Sequence, residues 1–397
     1  MANGLLFLDW LIVLTWTYMI LSTLRNVRRV PNLLDPGYAR PLDPTPLPLI
    51  SVIIPARNEE ASIEATLRAL LAVDSVPIHI LAVDDRSTDS TGAIIDRVAA
   101  ETARVAAESP SRLTVLHITE LPPGWLGKPH AMALAARQAT TPWLLFTDAD
   151  VLFAPGTLLR SLNLAQAENA DHLVLFPTMI LKGFGERMML AVFHLLGTVF
   201  APPWRVPDPH SRASLGIGAF NLVRAEAYRA IGGFESLRME VVEDIRIGVE
   251  IKRAGYRQRV AVGPDLIRVR WAEGARHFIL NVTKNFFALF RFRTRPALIA
   301  CAILTLFCLA PFIGLAGPLP FRIAGAFFFL MLFLLYRCLG RFSHISPAFF
   351  LTFPIASALL IYALLRSVVV TLRNGGIRWR DTFYPLSKLR ETAGPPF

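Results

Sequence analysis

The chain has 397 residues, 53% hydrophobic and only 18% charged, with 41 Lys and Arg against 30 Asp and Glu for a formal net charge of +11. An ordinary soluble domain carries about 25% charged residues, so a purely soluble or disordered protein is excluded. With the apolar excess, the basic balance points to anionic lipid or a phosphorylated substrate rather than nucleic acid. The three cysteines, Cys301, Cys308 and Cys338, lie in apolar runs without metal-ligand spacing, which excludes a disulfide scaffold and a zinc site.

The segment Leu5 to Leu24 is apolar apart from Asp9 and a few hydroxyls, long enough to cross a hydrocarbon core of about 30 Å as a helix. Arg25, Arg28 and Arg29 follow it, and no Lys or Arg precedes it. This order predicts an uncleaved transmembrane anchor over 1–29, amino terminus outside, with the chain entering the cytoplasm. Residues 30–48 form a linker, stiffened by the run Pro41 to Pro48 (PLDPTPLP).

A globular composition then extends over 49–295. Strand-like runs at Leu49–Ile54, Ile78–Val83, Leu113–Ile118, Trp143–Phe146 and His172–Phe176 alternate with helical patterns. One such pattern is Asn58–Ala72, with Asn58 as cap and Ile63, Leu67 and Leu70 on one face. The alternation predicts an α/β fold with a doubly wound, mostly parallel sheet, whose ligands bind at the carboxyl ends of the strands. Met188 to Pro203 is short for a span, and Trp204 and Arg205 follow it, which fits a segment at the membrane surface where a lipid enters.

Beyond Pro296 come three apolar stretches of near spanning length, Ala297–Gly317, Phe321–Leu339 and Pro347–Val370, within a membrane block 296–372. Three full crossings would put the basic tail, 373–397, outside, against the bias that keeps Arg291, Arg293 and Arg295 inside. A re-entrant segment, for which Pro311–Pro320 is the candidate, keeps the tail cytoplasmic.

Polar motifs stand where the strands end. The first strand runs into Pro55-Ala-Arg57-Asn-Glu59-Glu60, the second into Asp84-Asp85-Arg-Ser-Thr-Asp89 and the fourth into Thr147-Asp148-Ala-Asp150. In an extended segment Asp148 and Asp150 share a side, so both carboxylates can face one hard divalent cation bridging diphosphate oxygens. Lys128, opening the helix Ala131–Ala139, is placed to meet a phosphate. Neither a P-loop nor a Gly-x-Gly-x-x-Gly turn is present. Downstream, Gly232-Gly233-Phe234-Glu235 leads to Glu243-Asp244 at the start of a helix, where a carboxylate can serve as base for an acceptor hydroxyl. Arg268-Val-Arg270-Trp271 adds two cations and an aromatic. His130, His210 and His277 have no paired spacing and read as loop or interface residues.

Together these motifs resemble the family 2 glycosyltransferases, inverting enzymes of the GT-A fold, over about Leu49 to Trp271. The resemblance implies that Pro55, Arg57, Glu59, Asp84, Asp85, Lys128 and Asp148 bind the nucleotide-sugar donor, and that Asp148 and Asp150 hold Mg or Mn. It further implies Asp244, with Glu243, as the catalytic carboxylates, and Gly232, Gly233, Phe234, Glu235, Arg268, Arg270 and Trp271 on the acceptor and product side. The Gly124-Trp-Leu-Gly-Lys128 turn, the single anchor and the carboxyl-terminal apolar block look like the membrane branch acting on lipids, such as ceramide, hopanoid-associated and carotenoid glucosyltransferases. In the tail, Ile377 to Tyr384 is similar to a Trp-Arg…Tyr segment of that branch. The implied activity is transfer of a hexose from a UDP-sugar to a lipid hydroxyl on the cytoplasmic face of the cell membrane. Leu266 and Ile267 stand where polysaccharide synthases of the family carry Gln, which counts against the first alternative, processive polymer synthesis. The second alternative is an inactive membrane scaffold, against which the retention of Asp148, Asp150, Glu243 and Asp244 speaks.

Overall fold

The structure, a computed structural model, describes residues 2–41, 46–105 and 112–394. Part of the stiff linker, 42–45, and the last residues of the tail therefore lie outside the described residues. The chain divides into two compact units: Val30–Ile180 with Pro203–Arg270, and Met1–Arg29 with Leu181–Pro202 and Trp271–Phe397. The segments 181–202 and 271–295, inside the span read from sequence as catalytic, thus pack with the apolar helices.

The first unit is built on strands β1 (Ile50–Ala56), β2 (Ile78–Asp85), β3 (Leu113–Ile118), β4 (Trp143–Phe146), β5 (His172–Leu175), β6 (Asn221–Arg224) and β7 (Gln258–Ala261). They form one sheet in the order β3-β2-β1-β4-β6-β5-β7. Neighbours are parallel except β6, which runs antiparallel to both β4 and β5. The five strands expected from sequence are present, and β6 and β7 are additional. Val52 and Ile54 of β1 point into one buried layer and Ile53 into the other, as period-2 alternation requires. On the first face, α1 (Ile63–Leu71), α2 (Thr91–Val105) and α4 (Thr157–Ala167) contribute Leu67, Ile95 and Leu162. On the second, α3 (Gly127–Gln138) and α5 (Glu243–Arg253) contribute Ala135 and Ile247. This is the α/β, mostly parallel, doubly wound architecture that the alternation predicts, with the strand order reversing between β1 and β4.

Asn58 does not cap a helix. It adopts a left-handed φ of 55° and α1 begins only at Ile63. Its side-chain oxygen accepts instead from the Thr88 N–H at 2.8 Å, because an Asn in this conformation serves a turn.

In the second unit, Ala2–Asn26, Thr294–Gly314, Leu319–Ser343 and Phe353–Arg373 are the long apolar helices. Together with Phe184–Arg205 they make five segments among the described residues that are long and apolar enough to cross a membrane. The indole of Trp16 donates to the Phe307 carbonyl at 2.8 Å and packs on Phe328 and Phe353. Phe353 also meets Phe312, while Ser367 Oγ bonds to the backbone of Thr283 and Phe287. Phe353–Arg373 therefore runs antiparallel to Thr294–Gly314, as does Leu319–Ser343, which leaves the turn after Gly314. The latter helix continues for about 22 Å beyond Phe328, and the chain must return that distance in 344–352 to bring Phe353 back beside Phe328. An extended or 3-10 path through Pro347–Thr352 has the reach. The return thus lies here, and Pro311–Pro320 is a helix end followed by a tight turn.

Candidate active site

At the carboxyl edge of the sheet, register pairs Ala56 with Asp84 and Ile53 with Phe146, so the loops after β1, β2 and β4 share one rim. Two of these loops are zipped by turn chemistry. Asn58 N–H donates to Ser87 Oγ at 3.1 Å, Glu59 N–H to Thr91 Oγ1 at 2.8 Å, and Ser90 N–H to Glu60 Oε2 at 3.0 Å. Asp84 accepts from Ser87 N–H at 3.2 Å and faces His117 Nδ1 at 3.1 Å. A Cβ at Gly92 would come within 2.6 Å of Asp84 Oδ2, so a larger residue there would push this carboxylate aside. Asp85 is buried and pairs with its neighbour Arg86 at 2.7 Å. Pro55, Arg57 and Glu59 are half-buried along the same rim.

A few ångströms further, one cation organises the acidic residues. Lys128 Nζ, on the first turn of α3, lies 2.6 Å from Asp148 Oδ1 and 2.8 Å from Glu243 Oε1. Burial opposes its charge, but Asp148, Glu243 and Asp244 outweigh that and hold the ammonium well above the ordinary lysine range. Asp244, beside this group at the start of α5, accepts from Gly218 N–H at 3.0 Å and from Ile245 N–H at 2.9 Å. Burial first, and Glu243 second, push its carboxyl up to about 6, with Lys128 pulling the other way. Burial, Asp148 and Glu59 push Asp150 up to about 7. Lys128, Asp148, Glu243, Asp244, Gly218 and Phe234 line one cleft.

Asp148 lies near enough to push the Asp150 carboxyl up, and such crowding is what a hard divalent ion would relieve. No group of three His, Cys, Asp or Glu residues among those described could hold a metal ion unaided.

The remaining motif residues are distributed. Gly232 and Gly233 take φ of 76° and 56° in a tight turn, and Phe234 packs edge-on against Phe146 at 5.0 Å, reaching the cleft. Glu235 turns away and pairs with Arg137 at 2.8 Å. Arg268 is exposed on a strand, Ile267–Val269, that pairs with Leu152–Phe153 and Thr178–Met179, with Arg270 just beyond it. Trp271 belongs to the helical unit, where it stacks on Phe193 at 5.3 Å. Sequence reasoning missed Leu215-Gly-Ile-Gly218, the loop against Asp244. A Cβ at Gly216 would overlap the Asp244 carbonyl, and one at Gly218 would meet Asp148 Oδ2 at 2.6 Å. The Gly-x-Gly pair was the available signal.

Residues 51–232 match the family model described as Glycosyl transferase family 2. The 4,4'-diaponeurosporenoate glycosyltransferases of Staphylococcus aureus strains bovine RF122 / ET3-1 and USA300 are each 27% identical over 352 residues, covering 85% of this chain and 89% of theirs. Among solved structures the chain is similar to the mannosyltransferase PcManGT from Pyrobaculum calidifontis, in complex with GDP-Man and Mn2+. That likeness, one of fold, has a TM-score of 0.55 at 20% identity and covers 93% of this chain and 99% of that one.

Proposed function

The chain carries a family 2 glycosyltransferase domain, and from that premise we propose an inverting, metal-dependent transfer of a hexose from a UDP-sugar to a hydroxyl of a membrane lipid. The observation that carries this reading is the convergence of Lys128, Asp148 and Glu243 beside a separately held Asp244. Asp244 Oδ2 is fixed by the Gly218 N–H, which leaves the carboxylate oriented to take a proton from an acceptor hydroxyl. A carboxyl near 6 is ionised at neutral pH yet basic enough for that role. Lys128 holds positive charge where the leaving diphosphate develops negative charge. Mg or Mn held by Asp148 and Asp150 supplies further neutralisation of the diphosphate when bound. Proton removal on one side and departure on the other constitute a single displacement, which inverts the anomeric centre.

The curated relatives are named for an acidic carotenoid. A carboxylate acceptor is already ionised at neutral pH and needs no base, and Glu243 and Asp244 would repel it. The site is therefore better suited to an alcohol. The lipid character of the acceptor is supported by the apolar helices and by those relatives.

The arrangement of the helical unit supports a topology with the tail on the catalytic side. The return at 344–352 brings the Arg373 end of its helix, with Arg378, Arg380, Lys388 and Arg390, to the same end as Arg293 and Arg295; Arg390 donates to the Phe292 carbonyl at 2.9 Å. The positive-inside bias then places all of them in the cytoplasm, in a multi-pass protein of the cell membrane.

The test uses purified protein in detergent with a panel of UDP- and GDP-sugars, Mn and membrane lipid extract. One donor should be turned over into an extractable glycolipid, and Asp150→Ala and Asp244→Ala should both abolish it. Transfer surviving in Asp244→Ala removes the base assignment, and a product that lengthens to polymer makes the enzyme a synthase. Binding of no donor leaves the scaffold.

A further inference from the structure

Three buried polar side chains lie side by side on three neighbouring strands. Asn221 on β6, His172 on β5 and Gln258 on β7 are 2%, 0% and 1% exposed. Register pairs His172 with Gln258 and Val174 with Asn221. Such a row inside a sheet is costly unless every donor and acceptor is matched.

Here they are matched, and the matching fixes each orientation. Gln258 Oε1 accepts from Leu215 N–H at 3.0 Å, and its Nε2 donates to the Leu215 carbonyl at 2.8 Å. Because Nε2 is also the amide's contact with the imidazole, at 2.6 Å, His172 Nδ1 must accept. The ring proton is then on Nε2, donated to Asn221 Oδ1 at 3.0 Å. Asn221 Nδ2 in turn donates to the Ile217 carbonyl at 3.0 Å. A neutral ring satisfies the whole row, and burial pushes His172 down to about 4.

The row acts on what it grips. Gln258 engages both backbone groups of Leu215, and Asn221 holds Ile217, so alternate residues of an extended loop are clamped from one side. The intervening residues, Gly216 and Gly218, face the start of α5, and Gly218 N–H reaches Asp244 Oδ2 at 3.0 Å. Gly248 completes the fit: a Cβ there would lie 2.9 Å from Gln258 Nε2.

We propose that His172, Asn221 and Gln258 are positioning residues for the transfer step, setting the loop Leu215–Gly218 so that its Gly218 N–H holds the Asp244 carboxylate in its proton-accepting orientation. The proposal rests on Asp244 being the base. Asn221 borders the cleft itself, whereas His172 and Gln258 do not line it, so their effect passes through Asn221 and the loop backbone.

The test compares His172→Leu with His172→Gln in the full-length protein, using the donor the panel identifies. An amide offers a donor on one side and an acceptor on the other, as the neutral ring does; leucine offers neither. His172→Leu should lower kcat roughly 10- to 100-fold, the scale of a small misplacement of a reacting group, with KM for the donor within about twofold. His172→Gln should restore most of it. An unchanged kcat in His172→Leu, or a loss that His172→Gln does not restore, overturns the proposal, the latter indicating packing alone. Should the leucine variant fail to fold, hydrogen exchange in the unsubstituted protein decides: Leu215, Ile217 and Gly218 amides must exchange slowly, and exchange at exposed-loop rates refutes the clamp. If Asp244→Ala keeps turnover, the base assignment fails and the proposal with it. If Asp244→Ala is dead while His172→Leu is normal, only the positioning row falls.

Discussion

The two halves of the sheet are built by different means. In β3-β2-β1-β4 every neighbour is parallel, and the loops at the carboxyl rim are held by loop-to-loop and turn contacts among Asn58, Ser87, Asp89 and Thr91. In β6-β5-β7 one strand is reversed, and the loop beside the site is held by long side chains rising from within the sheet. The difference teaches where substitutions will act. The proposed donor rim stands on residues that are themselves the motifs, whereas the proposed base, Asp244, is supported by residues with no motif around them.

Substitutions can break this contrast, and the largest effect is expected at the proposed base. Asp244→Asn should reduce turnover by about 10²- to 10⁴-fold, the usual share of general-base catalysis, while donor affinity stays near that of the parent. Its thermal midpoint should hold or rise. The raised carboxyl means that ionising Asp244 weighs against the folded state, a penalty that sets in as pH climbs from the ordinary carboxylate range toward about 6. A midpoint that falls sharply at pH 8 would contradict this.

The same carboxyl fixes the acid limb of the rate. A base works deprotonated, so kcat should drop as pH falls through about 6 and level off above it. A profile flat down to pH 5 would remove Asp244 from the proton transfer. Lys128→Met strips the counter-ion from Asp148 and Glu243 at once. Since Asp148 is partly open to water, the destabilisation should be about 1–3 kcal/mol rather than the full loss seen for a sealed pair. Thermal melts and donor binding both read it, with weaker donor binding expected.

A smaller change sharpens the comparison further. Gly218→Ala places a methyl against the ends of Asp148 and Lys128, which can give way, so the protein should fold with kcat lowered about tenfold. At the lower end stands Glu235→Gln, a motif residue whose exposed pair with Arg137 contributes at most about 1 kcal/mol. Turnover should not change, and a tenfold loss would place Glu235 in the site after all.

How much was legible follows from the same particulars. Strands β1 to β5 were readable as apolar runs, and Asp84, Asp148 and Asp244 as polar residues at their ends or at a helix start. β6 and β7 were not, because each opens on a buried amide, Asn221 and Gln258, that interrupts the apolar pattern; the residues that hid the strands are the ones gripping the loop. Asn58 misled because its value in a turn and its value as a cap rest on the same short side chain. Near the carboxyl terminus, hydropathy marked three apolar stretches, but direction within a bundle is set by which rings meet, as Phe353 meets Phe312 and Phe328.

Sequence by itself determined the fold class, the rim of acidic motifs and the apolar helices, because these depend on periodicity, turn chemistry and composition along short stretches of chain. Only the tertiary structure decided that Lys128 joins Asp148 to Glu243, that Gly218 holds Asp244, and that the chain doubles back before the helix Phe353–Arg373. Those outcomes rest on contacts between residues far apart in the chain, where distance and burial, not local pattern, fix which polar groups find partners.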